Sequence, residues 1–360
     1  MAEGPLKILI MNWKDTAHPA AGGAEVYTEG FARELVARGH EVTLFASAVA
    51  GSPEHDVRDG IRIIRRGGRL GVYRAARQFW KSEGEGRFDV VVDEVNTRPF
   101  LTPRYISSVP VVALIHQLAK EVWKYEVPMP VGLLGRYVLE PWWLRTYRST
   151  RVLTDSPSSA QSFVPYGIRD AHPLPIGAAP IDRPDVPKES VPTVVFVARL
   201  VESKRPDHVL EAFAMVQKAL PDAQLWMIGD GPYRATLSPH ASSHVHFLGR
   251  VSNDERVDRM ARAHVLVATS VREGWGLTVS EAAALGTPSI GYRAPGLVYS
   301  VPASGGLLVD ETPVALGDAL VEVLSGRREL VPSSTLVPWS TVADAVEAHL
   351  RAAIAEHSTS

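Results

Sequence analysis

Ser270-Val271-Arg272-Glu273-Gly274-Trp275-Gly276-Leu277-Thr278-Val279-Ser280-Glu281-Ala282-Ala283-Ala284-Leu285-Gly286-Thr287-Pro288 is the stretch whose reading decides the fold. The apolar run before it, Val265 to Ala268, reads as a buried strand. Residues from about Thr278 to Leu285 read as a helix, stopped by Gly286 and Pro288. Gly274 and Gly276 let the intervening loop approach a ligand, and the helix start offers unpaired N–H groups to an anion. Glu281 lies about one turn into the helix. Helical side chains lean toward the N-terminus, so its carboxylate points back at whatever the helix start holds. A carboxylate accepts both hydroxyl hydrogens of a ribose diol, so phosphate at the helix start and ribose on Glu281 would together make a nucleotide site. The alternative is a capping box over Thr278 to Glu281, with Glu281 returning only to the backbone. A second glutamate, Glu273, and motifs elsewhere favour the site.

Working outward, the residues on both sides alternate strand with helix. Thr193 to Ala198 reads as a strand and Asp207 to Leu220 as a helix. Arg199 and Lys204 flank the turn between them, where two fixed positive charges can neutralise a diphosphate. Ala223 to Ile228 is a strand ending in the turn Gly229-Asp230-Gly231-Pro232. His244 to Leu248 is another, followed by Gly249-Arg250-Val251. Ser289 to Tyr292 and Gly305 to Val309 follow, and a helix over about Thr341 to Ala355 closes the chain.

The first half opens in the same way. Lys7 to Asn12 is a strand, Gly22-Gly23 a turn suited to phosphate, and Ala24 to Ala37 a helix with Val26, Phe31, Leu35 and Val36 on its apolar side. Glu41 to Ala46 is the next strand. The turn lacks Gly-x-Gly-x-x-Gly and no acid follows the second strand, which disfavours hydride transfer with NAD. Arg58 to Lys81 is rich in arginine. Within it a helix from Leu70 to Lys81 puts Leu70, Tyr73, Arg77 and Trp80 near one face, a surface for an anionic acceptor or lipid headgroups, or a solvated basic face. Phe88 to Val92 and Val109 to Ile115 are strands. Glu94, Asn96 and His116 lie just past them, where open α/β sheets hold their ligands. Lys120 to Arg148 mixes Trp123, Tyr125, Trp142, Trp143 and Tyr147 with basic residues, a composition for carbohydrate stacking, a membrane interface or helix packing. Val152 to Asp155 reads as the last strand of this half.

The chain has 360 residues, enough for two domains. A proline- and glycine-rich stretch marks a linker. The expected division is residues 1–175, a linker over 176–190, residues 191–338 and a closing segment 339–360 that returns to the first domain. Strand–helix alternation in both halves implies an α/β fold of two Rossmann-like, doubly wound domains facing each other across a cleft. Hydrophobic content of 45% and charge of 22% are those of an ordinary globular protein. With no cysteine, thiolate metal sites and cysteine nucleophiles are excluded. The start, Met1-Ala2-Glu3-Gly4-Pro5, has no signal-peptide pattern and no apolar run spans a bilayer, so the expected compartment is the cytoplasm. Residues 1–180 carry 22 Lys and Arg against 19 Asp and Glu; residues 181–360 carry 16 against 21, which leaves the net charge at −2. Neither half is basic enough for a nucleic-acid partner.

These motifs, in this order, resemble the retaining family 4 glycosyltransferases of the GT-B fold. The residues that carry the resemblance are the Gly22-Gly23 loop with Ala24-Glu25, the strand ending in His116, Arg199 with Lys204, Gly229-Asp230-Gly231-Pro232, and the Glu-x7-Glu pair Glu273 and Glu281. The resemblance implies that a nucleotide-diphosphate sugar is the co-substrate and that no metal or other cofactor is required. It implies that Arg199 and Lys204 hold the diphosphate and that Glu281 binds the ribose. Glu273, Gly274, Trp275, Gly276, Leu277 and Thr278 would face the donor sugar and phosphate, with Gly229 beside them and the main chain of Val251 near the base. Gly22 and Gly23 would approach the phosphate, and His116 would lie beside the transferring sugar. Glu94, Asn96, Trp123 and Tyr125 are the acceptor candidates, and a peripheral membrane contact through the first domain is the expected partner surface. Gly296 to Val301, Ala283 and Ile176-Gly177-Ala178 depart from the family pattern. The alternatives on the same fold are an epimerase, a phosphorylase or a non-catalytic nucleotide-sugar-binding protein.

Overall fold

The computed structural model describes residues 4–178 and 185–359, so Met1 to Glu3 and the part of the expected linker from Ala179 to Pro184 lie outside the described residues. The chain divides into two compact units: Met1–Lys120 with Leu133–Ala179 and Val337–Ser360, and Glu121–Gly132 with Pro180–Leu336.

The first unit is built on strands β1 (Lys7–Met11), β2 (Glu41–Ala46), β3 (His55–Arg58), β4 (Ile61–Arg65), β5 (Val90–Glu94), β6 (Val111–Leu114), β7 (Arg151–Thr154) and β8 (Ala171–Pro173). They lie in the order β3-β4-β2-β1-β5-β6-β7-β8, parallel except for the antiparallel pair β3–β4. The order reverses at β1, which pairs with β2 on one side and β5 on the other. Ile8, Leu9, Ile10 and Met11 are all buried, as a strand covered on both faces requires. One face carries α1 (Gly23–Ala37) and the other α2 (Val72–Phe79), which continues into a π-helical turn, Trp80–Gly84. Short helices follow: α3 (Trp123–Glu126), α4 (Met129–Leu134), α5 (Glu140–Leu144) and α6 (Pro157–Phe163), then the short strand β9 (Gly177–Ala178). Two helix faces differ from the expected ones. In α1 the buried side chains are Tyr27, Phe31 and Leu35, while Val26 is exposed. In α2 the buried face is Val72, Ala76 and Phe79, continuing to Trp80, and Leu70, 74% exposed, precedes the helix. An arginine at position 77 cannot share a buried stripe without a buried partner.

The second unit has strands β10 (Thr193–Val197), β11 (Gln224–Ile228), β12 (Val245–Gly249), β13 (Val265–Ala268), β14 (Ser289–Tyr292) and β15 (Leu307–Val309), all parallel in the order β12-β11-β10-β13-β14-β15. Numbered within the unit this is 3-2-1-4-5-6, the Rossmann order, with its switch point between β10 and β13. Helices α7 (Pro206–Ala219), α8 (Arg234–Leu237), α9 (Asn253–Arg262), α10 (Leu277–Ala284), α11 (Leu297–Ala303) and α12 (Pro313–Leu324) connect them. The core joins Val194, Val195 and Phe196 of β10 to Phe213 of α7 and Leu316 of α12.

The chain then returns to the first unit. β16 (Val337–Pro338) pairs with β9, and α13 (Trp339–Ser358) lays Val342, Val346 and Leu350 into the core beneath α1. Trp339 is the wedge. A Cβ on Gly30 of α1 would lie 2.5 Å from its ring, and one on Gly177 2.3 Å, so only glycine fits at either contact.

Candidate active site

In the second unit two of the residues expected to meet a nucleotide, Lys204 and Glu273, come together at the switch point. Lys204 ends the 3₁₀ turn Glu202–Lys204 that follows β10, and Glu273 lies in the loop after the neighbouring strand β13. The Lys204 ammonium pairs with Glu273 Oε1, and Ser270 Oγ donates to the same oxygen at 2.6 Å. The two loops are stitched together. Thr269 Oγ1 donates to the Lys204 carbonyl at 2.7 Å, and Val271 N to the Ser203 carbonyl at 3.0 Å. Glu273 N donates to the Pro295 carbonyl at 2.9 Å, which ties the loop to the turn before α11. Arg199 follows β10 and is exposed. Gly229 closes β11, its N–H donating to the Gly249 carbonyl at 2.8 Å. Val251, half-buried, follows β12.

Gly276 caps α10 at φ 101°, a conformation that side-chain-bearing residues rarely adopt, and it turns the chain sharply enough to present the first turn of the helix, Leu277 and Thr278. Gly274 is buried behind it, and Trp275 Nε1 donates to Ser280 Oγ at 2.9 Å, which ties the ring back onto the helix. Glu281 makes no capping box. Its carboxylate accepts both ends of the Arg256 guanidinium, at 2.5 and 3.3 Å, and Arg256 also donates to Asn253 Oδ1 at 2.9 Å. Sequence reasoning missed Arg256, because nothing in a polar helix marks one arginine until the fold sets α9 beside α10.

Trp123 and Tyr125, expected with the acceptor in the first domain, fall in α3, which groups with the second unit and rests against the turn Glu202–Lys204. Arg272, almost fully buried, holds this segment through Glu121 Oε2 at 2.7 Å. A buried guanidinium needs a charged partner, and Glu121 supplies it.

In the first unit a second polar chain runs from the β1 loop across the ends of β5, β6 and β7. Glu25 accepts from Gly22 N at 2.6 Å, a capping contact at the start of α1, and from Lys14 at 3.2 Å. Gly22 and Gly23 are exposed there. Asn96 Nδ2 bridges Asn12 Oδ1 at 3.0 Å, Glu94 Oε1 at 3.3 Å and Glu25 Oε1 at 3.4 Å. Glu94 then takes Thr28 Oγ1 at 2.7 Å and His116 Nε2 at 3.1 Å, while His116 Nδ1 meets Asp155 at 2.9 Å. Burial pushes the Glu25 carboxyl up, against the pull of Lys14. Burial acts to discharge His116, but Asp155 and Glu94 outweigh it and hold the imidazole well above its ordinary range. Both ring nitrogens therefore carry protons and donate, leaving no lone pair for proton abstraction. Glu94, at 0% exposure, is hydrogen-bonded to His116 and Thr28, while Asn96 is half-buried. Asp155 was not singled out, although it ends a strand just as His116 does.

Among the described residues no cluster of His, Asp and Glu could hold a metal ion.

Residues 21–178 match the family described as Glycosyltransferase Family 4, and residues 179–331 match that described as Glycosyl transferases group 1. The chain is similar to a GDP-mannose-dependent alpha-(1-6)-phosphatidylinositol monomannoside mannosyltransferase of Mycolicibacterium smegmatis, 29% identical over 84% of this chain and 87% of that protein. A GDP-mannose-dependent monoacylated alpha-(1-6)-phosphatidylinositol monomannoside mannosyltransferase of Corynebacterium glutamicum is 32% identical over 38% of this chain, and the match spans 39% of that protein. Among solved structures, a sucrose-phosphate synthase from Thermosynechococcus elongatus has the same fold, with a TM-score of 0.73 at 19% identity over 98% of this chain and 100% of that one.

Proposed function

Because the chain belongs to the family 4 glycosyltransferases and has the two Rossmann-like units of the GT-B fold, we propose that it moves mannose from GDP-mannose to a hydroxyl of a lipid-linked polyol, with retention at the anomeric carbon. That it is an enzyme transferring sugars from nucleotide-sugar donors follows from the family; the sugar, base, acceptor and stereochemistry are the proposal. The observation that carries it is the Lys204–Glu273 pair at the β10/β13 switch point, beside the start of α10 and the Arg256-held Glu281.

The site chemistry follows from charge. As the bond from the anomeric carbon to the phosphate oxygen breaks, negative charge grows on the leaving diphosphate. Lys204, Arg199 and the N–H groups at the α10 start would meet it, stabilising the transition state more than the ground state. The acceptor oxygen bonds to the anomeric carbon on the face the phosphate leaves, and its proton passes to the departing phosphate oxygen. Glu281 would take the ribose hydroxyls with the lone pairs Arg256 leaves open. Glu273 would contact the sugar hydroxyls, and Gly229 and Val251 would line the nucleotide. Asn96 and the exposed Gly22-Gly23 loop are assigned to the first unit's share, with the charged His116 as a positioning group. Trp123 and Tyr125 are assigned to the acceptor. No resident cofactor is needed for these steps.

A lipid-linked acceptor is supported by one surface. Leu133, Leu134, Tyr137, Val138 and Trp142 all expose large apolar area, at the helical spacing of one face, and Tyr137 is 65% exposed. Arg136 and Arg145 flank them, and Arg104 stacks on Trp142 at 4.1 Å. An apolar stripe with Tyr, Trp and arginines suits the surface of an anionic bilayer. Among the described residues no helix is long and apolar enough to cross a membrane.

The test is a thermal-shift and transfer screen of GDP-mannose, UDP-glucose and ADP-glucose, with phosphatidylinositol mannosides and soluble polyols as acceptors. GDP-mannose is expected to raise the melting temperature most and to yield GDP only with the lipid acceptor. A larger shift and faster transfer with UDP-glucose would overturn the donor assignment, and equal transfer to soluble polyols the acceptor assignment.

A further inference from the structure

The first unit carries a second concavity, away from the strand ends. Its lining includes Thr43, which pairs with Leu9 in the middle of β1, and Arg87 and Phe88, which precede β5; the cavity therefore opens at the side of the sheet, far along the strands from Asn96 and His116. Its volume is about 430 Å³, within the range of small-molecule pockets. Val57, 66% exposed, and the half-buried Ile64 supply its apolar surface, in front of the buried rings of Phe79 and Phe88. Thr43 lies at the back of the lining, 2% exposed, with its hydroxyl covered by protein.

Two acids, two arginines and His55 line the rim, and the pairing of these groups decides which are open to a ligand. Both acids that line the cavity are taken. Asp56 accepts from Arg65 at 3.1 Å, and Glu83 is paired with Arg66. Two arginines also line it. Arg87 donates to the Glu83 carbonyl at 3.3 Å, and Arg62 stands 3.5 Å from Glu41 in an ion pair whose two side chains are both about half exposed. Exposed pairs of that kind are weak and exchange readily. Arg62 and Arg87 are therefore the charged groups at the rim most open to an anion.

We infer that this cavity binds a small amphipathic anion: an apolar body of ring or short-acyl size against Val57 and Ile64, and a carboxylate or phosphate met by Arg62 and Arg87. The site is separate from the sugar-transfer chemistry and does not depend on the donor proposed above. None of the residues assigned to transfer lines it.

The experiment is a calorimetric titration of the full chain with phenylacetate and, separately, phenyl phosphate, each to about 1 mM, with and without saturating GDP. At least one probe is expected to bind saturably at one site, unaffected by GDP, and the stronger probe identifies the head group. Arg87→Ala should weaken it by about 10-fold, the loss of one charge-assisted contact. Val57→Trp, at the exposed mouth, should abolish it while GDP binding persists. Failure of both probes to bind, displacement by GDP, or binding undiminished in both Arg87→Ala and Val57→Trp would overturn the assignment.

Discussion

Lys204 is already engaged before any donor arrives. Its ammonium has three donors, so the pairing with Glu273 orients it without using it up. Both side chains are partly exposed, and the pair contributes little to stability. In the proposed site its value is position, since a diphosphate at the start of α10 would meet a cation already aimed. Lys204→Ala is expected to lower turnover by about 10²-fold or more, the loss that follows removal of one preset charge-stabilising donor. Lys204→Arg should recover part of it, and near-normal turnover in the alanine variant would remove Lys204 from the mechanism. A second prediction rests on His349. Burial, then His172 and Arg151, push its imidazole down to about 4 from an ordinary 6.5. A base whose folded value is depressed contributes stability that is present above 6.5 and is lost as the pH falls toward 4. His349→Gln should therefore flatten the decline of melting temperature across that window, and an unchanged slope would assign the acid sensitivity elsewhere. At this scale the chain was half legible. Glu273, Glu281, Arg199 and Lys204 announce themselves through spacing after strands. Arg256 does not, since it acquires meaning only from Glu281, brought to it by tertiary packing, whereas Asp155 follows a strand as His116 does.

At the scale of elements, the apolar runs of the parallel strands were readable, because strands covered on both faces have little polar character to confuse them. Glu41 to Ala46 matches β2 end to end, and α10 begins one residue ahead of its expected start. The hairpin of β3 and β4 was missed under its arginines. The signal was there in Asp59-Gly60, both at positive φ, flanked by Ile61 and Ile63 alternating with Arg62. The arginines there read as a charged surface, whereas the period of two marks a strand. The helical stretch from Leu133 to Trp142 yields the test at this scale. Tyr137→Asp with Trp142→Ala should sharply reduce co-sedimentation with vesicles containing phosphatidylinositol, while the rise in melting temperature with GDP-mannose stays near that of the parent. Undiminished vesicle binding would place the membrane contact on another face.

At the scale of the molecule, the first unit is assembled from three separate stretches of chain. Composition can flag a proline-rich junction, but it cannot show that Glu121–Gly132 groups with the second unit, because that depends on the buried Arg272 finding Glu121. The last stretch matters most for stability. Trp339, Val342, Val346 and Leu350 fill one side of the first unit's core. Trp339→Ala should destabilise that unit by about 3–5 kcal/mol, the usual cost of deleting a large buried aromatic. Ending the chain after Leu336 should leave only the second unit resistant to proteolysis. A fragment 1–336 that resists cleavage throughout would show that α13 is dispensable.

The same return of α13 governs how the protein is made. On the ribosome, the opening strands emerge with their apolar face bare and must wait through the synthesis of an entire second lobe for the helix that seals it. During that interval the nascent chain presents an unfinished sheet to its surroundings, and holding chaperones have their longest opportunity there.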